Sequence, residues 1–133
     1  MQTDAGRTGN PCPSLPGWVS QLFASIDAQD VPRFLSFLTA RARFKFGNLP
    51  AAVGHADIGA AVTAFFGSIG ALRHELLQGW VVDAHVIVQG VVHYTRLDGG
   101  KVSLPFVTVF GMSGERIDDY LIYIDPTPLY APA

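Results

Sequence analysis

The sequence predicts an α+β domain, with helices packed on one face of a long, curved antiparallel β-sheet that wraps around them. Three observations carry this. Apolar residues recur at three- and four-residue steps through the first half of the chain, the spacing of an amphipathic helix. Everything after Leu72 is rich in Val, Ile, Phe, Tyr and Thr, which suit a pleated, half-buried surface. Asp98-Gly99-Gly100 and Ser113-Gly114-Glu115 cut that run into segments, and such turns join adjacent antiparallel strands. Helices on one side of such a sheet form an α+β layer, and a strongly curved sheet leaves room for a pocket at its open end.

The elements follow in order. Residues 1–13 are mostly Gly, Pro, Thr and Asn and read as a loose tail, so the domain is expected over 14–131. Ser14 is placed to cap a first helix with Pro16 in its first turn, and Trp18, Val19, Leu22, Phe23 and Ile26 supply its apolar face. Asp27-Ala28-Gln29-Asp30 breaks that helix. Asp30 caps a second one, with Pro32 in its first turn and Phe34, Leu35, Phe37 and Leu38 as its buried face. Phe44 and Phe46 alternate with Arg43 and Lys45, a strand pattern, which ends at Gly47-Asn48-Leu49-Pro50. A third helix follows Gly54, with Ile58, Ala61, Val62, Phe65 and Phe66 on one side. Four strands are expected at about 73–81, 85–97, 101–112 and 116–125, and Pro126 and Pro128 stop further pairing.

Composition excludes several classes of function. The chain has 133 residues, 49% of them hydrophobic and 15% charged, which suits one well-buried domain. A net charge of −2 without any Lys/Arg cluster gives no surface for nucleic acid. Cys12 is the single cysteine and lies between two prolines, a setting for a bland thiol. The four histidines form no HxH or HxxxH pair, so no metal site is expected. No glycine-rich phosphate loop is present, so no nucleotide cofactor is expected. Met1–Asn10 lack the apolar core of a secretory leader, and no run approaches the roughly 20 residues of a membrane helix. A cytoplasmic location is the expectation.

Longer segments have a familiar look. "FASIDAQD…FLSFL" and "RFKFGNLP…VGHADI" resemble the opening of SnoaL-like cyclases and ketosteroid isomerase-like proteins. "HYTRLDGGKVSLPFVTVF" and "IDDYLIYIDPTPLYA" resemble the closing hairpin and last strand of small members of the same nuclear transport factor 2-like superfamily. The resemblance spans Trp18 to Ala131. It implies a conical sheet with three helices, an apolar pocket for a small ligand, no cofactor, and a homodimer packed through the sheet.

The carboxylates of the best-known members are missing. Aligned on a steroid isomerase, Phe46 stands at the base, Leu22 at the first-helix tyrosine, and Val107, or Thr108 after a one-residue slip, at the later acid. The last-strand acid of cyclases and epoxide hydrolases aligns with Ile122. Trp18, Leu22, Phe46, His93, Val107 and Ile122 are accordingly expected on the pocket wall. Polar chemistry falls to His74, which opens the first long strand and titrates near neutral pH, to Tyr120 beside Ile122, and to Asn48 in the turn. His55 and His85 read as cap or loop residues. Asp118 and Asp119 point to opposite faces, and Asp125 reads as a strand-end acceptor for backbone or for Arg96 or Arg116.

Two functions stay open at this stage. One is a cofactor-independent isomerase, cyclase or dehydratase acting on an apolar carbonyl compound of polyketide, terpenoid or steroid type, with His74 moving the proton. The other is a non-catalytic ligand carrier or dimeric interaction module of the same fold.

Overall fold

The computed structural model describes residues 15–132, so the expectations for the 1–13 tail, Ser14 and Cys12 lie outside the described residues. The chain runs α1 (Gly17–Asp27), α2 (Val31–Leu35), β1 (Leu38–Phe46), β2 (Ala52–Val53), α3 (Gly54–Gly67), β3 (Ala71–Val82), β4 (His85–Thr95), β5 (Lys101–Ser113), β6 (Arg116–Tyr123) and α4 (Thr127–Tyr130). The strands form one sheet in the order β2-β1-β6-β5-β4-β3. The expected α+β class and the four long strands are present. One pair departs from the antiparallel expectation: β1 lies parallel to β6, because the chain returns to it through β2, α3 and three further strands.

Local chemistry explains the helix ends. α1 closes in a Schellman turn: Gln29 has φ 56, Gln29 N–H donates to Ile26 O at 2.8 Å and Asp30 N–H to Ser25 O at 2.9 Å. The next helix begins at once, its first turn held by Arg33 N–H donating to Asp30 Oδ1 at 3.2 Å. α2 stops at Leu35 rather than including Leu38, which pairs with Ile117 in the sheet. Two short elements carried no periodic signal in the sequence. β2 is two residues paired with Arg43 and Phe44. α4 forms where the prolines end the last strand, and it buries Leu129.

The helices lie on one face of the sheet, α1 against β3 and α3 against β1. Val19, Leu22 and Phe23 of α1 and Ile58, Val62 and Phe66 of α3 meet the inward residues of β4, β5 and β6. Along β5 the inward set is Leu104, Phe106, Thr108 and Phe110, all buried. On the outer face Trp80, Ile87, Val109 and Leu121 stand in one cross-strand row.

A bulge between Leu76 and Gln78 inverts the alternation of β3. His74 pairs with inward Val92, whereas Trp80, which shares its parity, pairs with Ile87 on the outside and is 47% exposed. Gly90 sits opposite this bulge. A Cβ there would lie 2.2 Å from the Glu75 carbonyl oxygen and 3.1 Å from Phe106, so only glycine allows the two strands to approach. We expect Gly90→Ala to destabilise the fold by roughly 2–4 kcal/mol, measured by urea unfolding, because the obstructing atom is backbone.

Candidate active site

A cavity of about 470 Å³ lies between the helices and the inner sheet face, within the usual range for small-molecule sites. Its wall is largely aromatic, with Phe23, Phe34, Phe44, Phe46, Phe65 and Phe106 among the lining residues. Among the described residues no lysine, arginine, aspartate or glutamate lines it. The polar groups that do are His74, Tyr94, Thr108, Tyr120 and Tyr130, with Asn48 in the turn after β1.

His74 is the best-defined of these. Its ring Nδ1 lies 2.6 Å from Asp27 Oδ1, and its backbone N–H donates to the same carboxylate at 3.0 and 3.2 Å. A carboxylate only accepts, so Nδ1 carries the proton and donates. The neutral ring then has Nε2 as its free acceptor. Phe23 and Phe106 hold the ring, with centroids at 4.8 and 5.3 Å. The two side chains are only 11% and 26% exposed. No side-chain nitrogen or oxygen among the described residues is both sealed from open space and without a partner. Nε2 makes no hydrogen bond to a described residue, and His74 lines the cavity.

Asp27 did not register as a site residue in the sequence, where it reads as part of a helix break. The Schellman turn makes it the last helical residue of α1 and directs it at β3. A carboxylate at a helix C-terminus faces the negative end of the dipole, an unfavourable place. The two donors of His74 offset that cost.

Tyr94 and Tyr120 bring two phenols to the same cavity. Tyr120 is 1% exposed and Tyr94 3%, and neither hydroxyl has a partner among the described residues, so both open onto the cavity. Burial raises both phenols well above the usual 10.0; the Asp27 charge and the neighbouring phenol add to this for Tyr120, and Tyr130 and Asp27 for Tyr94. Both remain protonated donors through the physiological range. Phe34, Phe44 and Phe110 pack the Tyr120 ring, with centroids at 5.5, 5.2 and 4.9 Å.

The other expected residues divide by face. Phe46 and Ile122 line the cavity, Asn48 borders it from an exposed turn, and Ile122 shares a cross-strand row with Phe46 and Thr108. Four expectations for the pocket wall are corrected. Val107 pairs with Gln89 and Tyr123 on the outer face, so the one-residue slip applies and Thr108 points inward. His93 also faces outward, bound to Ser103 Oγ at 2.7 Å and Glu75 Oε1 at 2.9 Å. Leu22 is wholly buried in the core beneath the helices. Trp18 packs edge-on to Phe110 at 5.4 Å and borders a separate groove with Pro16 and Val81.

Elsewhere, Asp118 accepts from Thr39 at 2.7 Å while Asp119 pairs with Arg43 at 2.9 Å, so the adjacent acids do diverge. Asp125 accepts from Thr127 N–H at 3.0 Å. Neither arginine proposed for it is its partner: Arg96 pairs with Asp98 and Arg116 donates to Ser36 O. His55 Nε2 meets Leu38 O at 3.1 Å at the start of α3, and His85 opens β4 on the exposed side. Among the described residues no group of three or more His, Cys, Asp or Glu is placed to hold a metal ion, and no helix is long and apolar enough to cross a membrane.

A six-stranded sheet folded over three helices around one aromatic cavity defines the class as the nuclear transport factor 2-like cone. Within that class the chain belongs to the SnoaL-like domain family, whose sequence profile matches residues 19–120. Among solved structures, an NTF2-like protein of unknown function from Burkholderia pseudomallei K96243 is 18% identical; the match covers 84% of this chain and 90% of that one, with a TM-score of 0.77. TerC, co-crystallised with polyporic acid, is also 18% identical over 84% and 92%, with a TM-score of 0.74. A protein of ketosteroid isomerase-like fold from Catenulispora acidiphila DSM 44928, in complex with trimethylamine, is 14% identical over 83% and 86%, with a TM-score of 0.76. At these identities the likeness is one of fold. Among curated proteins none matches the sequence.

The raised phenols make a pH prediction. A group that holds its proton more tightly when folded contributes stability that is fully present below the unfolded pKa, near 10, and is lost as pH rises above it. Absorbance titration of the folded protein should show fewer than the four tyrosines ionising. Tyr94 and Tyr120 should ionise only with alkaline unfolding, which Tyr120→Phe should shift to higher pH.

Proposed function

We propose that the cavity binds a neutral, flat ring compound bearing a carbonyl group and that His74 moves a proton at the carbon beside that carbonyl. The observation that carries this reading is the 2.6 Å contact between Nδ1 and Asp27 at the wall of the cavity that His74 lines. Without a lysine or arginine in the lining, an anionic ligand would lose its hydration with nothing to replace it. The aromatic wall suits ring systems, and the like-folded TerC has been co-crystallised with polyporic acid.

In this reaction Nε2 accepts the proton from the carbon, and the C–H electron pair moves into the new C–C double bond as the carbonyl becomes an enolate. Tyr94 and Tyr120 are the donors available to the enolate oxygen, and Asn48 orients the ligand from the mouth. Return of the proton to a different carbon is isomerisation. Loss of a β-hydroxyl as water is dehydration, and attack of the enolate carbon on a second carbonyl is cyclisation. Asp27 is a positioning residue: it holds the ring and its tautomer. General bases and preformed oxyanion donors each contribute about 10²-fold or more in such sites.

The test is deuterium uptake by a neutral ring ketone, 2-tetralone, incubated with the protein in deuterated water and followed by mass spectrometry. Wild type should speed uptake, and His74→Gln should lower the rate at least ~100-fold while still binding the ketone. Binding without accelerated exchange in either protein would mean that the cavity is a carrier site.

The outer sheet face supports a second proposal, a homodimer. Trp80, Ile87, Val109 and Leu121 form an apolar row with Val107 and 60%-exposed Tyr123 beside it, more contiguous apolar surface than a monomer usually leaves open. Sedimentation at micromolar concentration should give a dimer, and Leu121→Glu should give a monomer. A monomeric wild type would refute the dimer.

A further inference from the structure

Asp125 finds the backbone partner expected for it and not the arginine. No ion pair among the described residues includes it. Thr127 N–H donates to its Oδ1 at 3.0 Å. The Thr127 side chain and that N–H together hold the carboxyl below the usual carboxylate range, so it is charged at neutral pH. A negative charge therefore stands without a counter-charge where the last strand ends.

That place is the mouth of the cavity. An outer groove of about 590 Å³ shares Asn48, Ile124, Pro126 and Tyr130 with the cavity lining. Ile124 and Pro126 are the chain neighbours of Asp125, so the carboxylate lies one residue from the shared rim on either side. The rim is tied down from several elements. Gly47, at φ 58, donates its N–H to Ile122 O at 2.9 Å and sets the Asn48 turn against β6. The Ser68 hydroxyl donates to Phe65 O at 2.6 Å. In the 2.8 Å contact between Ser68 and Tyr130 the phenol is therefore the donor, which fastens Tyr130 to the end of α3. Arg96 donates to Pro128 O at 3.2 Å and holds α4 from the other side.

The two spaces differ in charge. The cavity lining holds no acidic or basic side chain among the described residues, whereas Asp125 is the one charged residue that lines the groove, with Tyr123 and Tyr130. A carboxylate attracts a cationic amine by charge, and aromatic rings attract it through their quadrupole. A phosphate or carboxylate tail would meet only repulsion, since no lysine or arginine lines the groove. Tyr123 also borders the apolar row of the outer face; Tyr130, on α4, is not part of that face. Resting on the reading of the cavity as a ligand site, we infer that the groove is a subsite for a cationic amine carried by the ligand. The substrate is then a flat ring ketone whose neutral ring fills the cavity. A short tether leaves it through the mouth at Asn48 and Tyr130 and ends in a protonated or quaternary amine at Asp125.

Two probes test this: 6-(2-trimethylammonioethoxy)-2-tetralone and 6-(3,3-dimethylbutoxy)-2-tetralone. Their tails have the same shape and differ by one charge, and binding is followed by calorimetry beside unsubstituted 2-tetralone. Wild type should bind the ammonium probe about tenfold more tightly than its carbon isostere, and the preference should shrink with added salt. Asp125→Asn keeps an oxygen for Thr127 and removes the charge; it should bind the isostere as wild type does and lose most of the preference. Equal binding of the two probes by wild type, or a preference that survives in Asp125→Asn, overturns the inference and leaves the cavity reading standing. Binding of 2-tetralone without either tailed probe also overturns it, because the tether then has no way out. If wild type binds none of the three ketones, the cavity reading itself fails, and this inference fails with it.

Discussion

Asp27 joins the end of α1 to the edge of the sheet. β3 is an edge strand, and an edge leaves a row of backbone donors without strand partners. The His74 N–H is one of these, and it donates to the Asp27 carboxylate. The same carboxylate takes the ring Nδ1–H. One acidic side chain therefore covers an edge donor, positions the helix end over the sheet and sets the tautomer of the imidazole. Both donors belong to one residue, so the backbone tie and the ring contact share one carboxylate. The geometry of the cavity follows from this tie, because Phe23, one turn earlier on α1, and Phe106 on β5 close around the ring that Asp27 holds.

The chemistry of the wall is consistent with that arrangement. Two phenols near a carboxylate become harder to ionise, and burial among aromatic rings adds to the effect. Tyr94 and Tyr120 are thereby kept as donors. The same carboxylate fixes the His74 tautomer in which Nδ1 donates and Nε2 is the acceptor. A proton acceptor and proton donors thus occupy one apolar space without neutralising one another. Phe46 and Ile122, which stand where well-known members carry carboxylates, form part of the apolar wall.

The legible parts of the sequence were those governed by local chemistry. Asp30 as a cap, the Asp98-Gly99-Gly100 turn and the strand alternation each depend on residues within a few positions of one another, and each appears in the fold. His74 and Tyr120 were placed on strands by the same logic. What escaped depended on contacts distant in the chain or on a shift of one residue. The Schellman turn uses Gln29 where glycine is the usual signal, so Asp27 looked like a breaker rather than the carboxylate that holds His74. The Val107 and Thr108 alternatives differ by one position, and a one-residue slip exchanges the two faces of a strand. Trp18 and Leu22 share the apolar side of α1, and spacing alone does not say which apolar residues meet the cavity and which meet the core.

β5 shows how closely two functions can sit in one strand. Val107 and Val109 point to the outer face, while Phe106, Thr108 and Phe110 point to the inner one. The outer residues must suit whatever covers the sheet, and the inner ones must suit whatever fills the cavity. Because the alternation is strict along this stretch, a substitution on one face leaves the other's side chains in place. The irregularities lie elsewhere, at Leu76/Gln78 in β3, at Gly111/Met112 between β5 and β6 and at Leu38/Arg43 between β1 and β6. Against β4, β5 pairs without a break from Lys101 to Gly111. Along that stretch one inward side chain can change without disturbing either the helix tie at Asp27 or the surface on the opposite face.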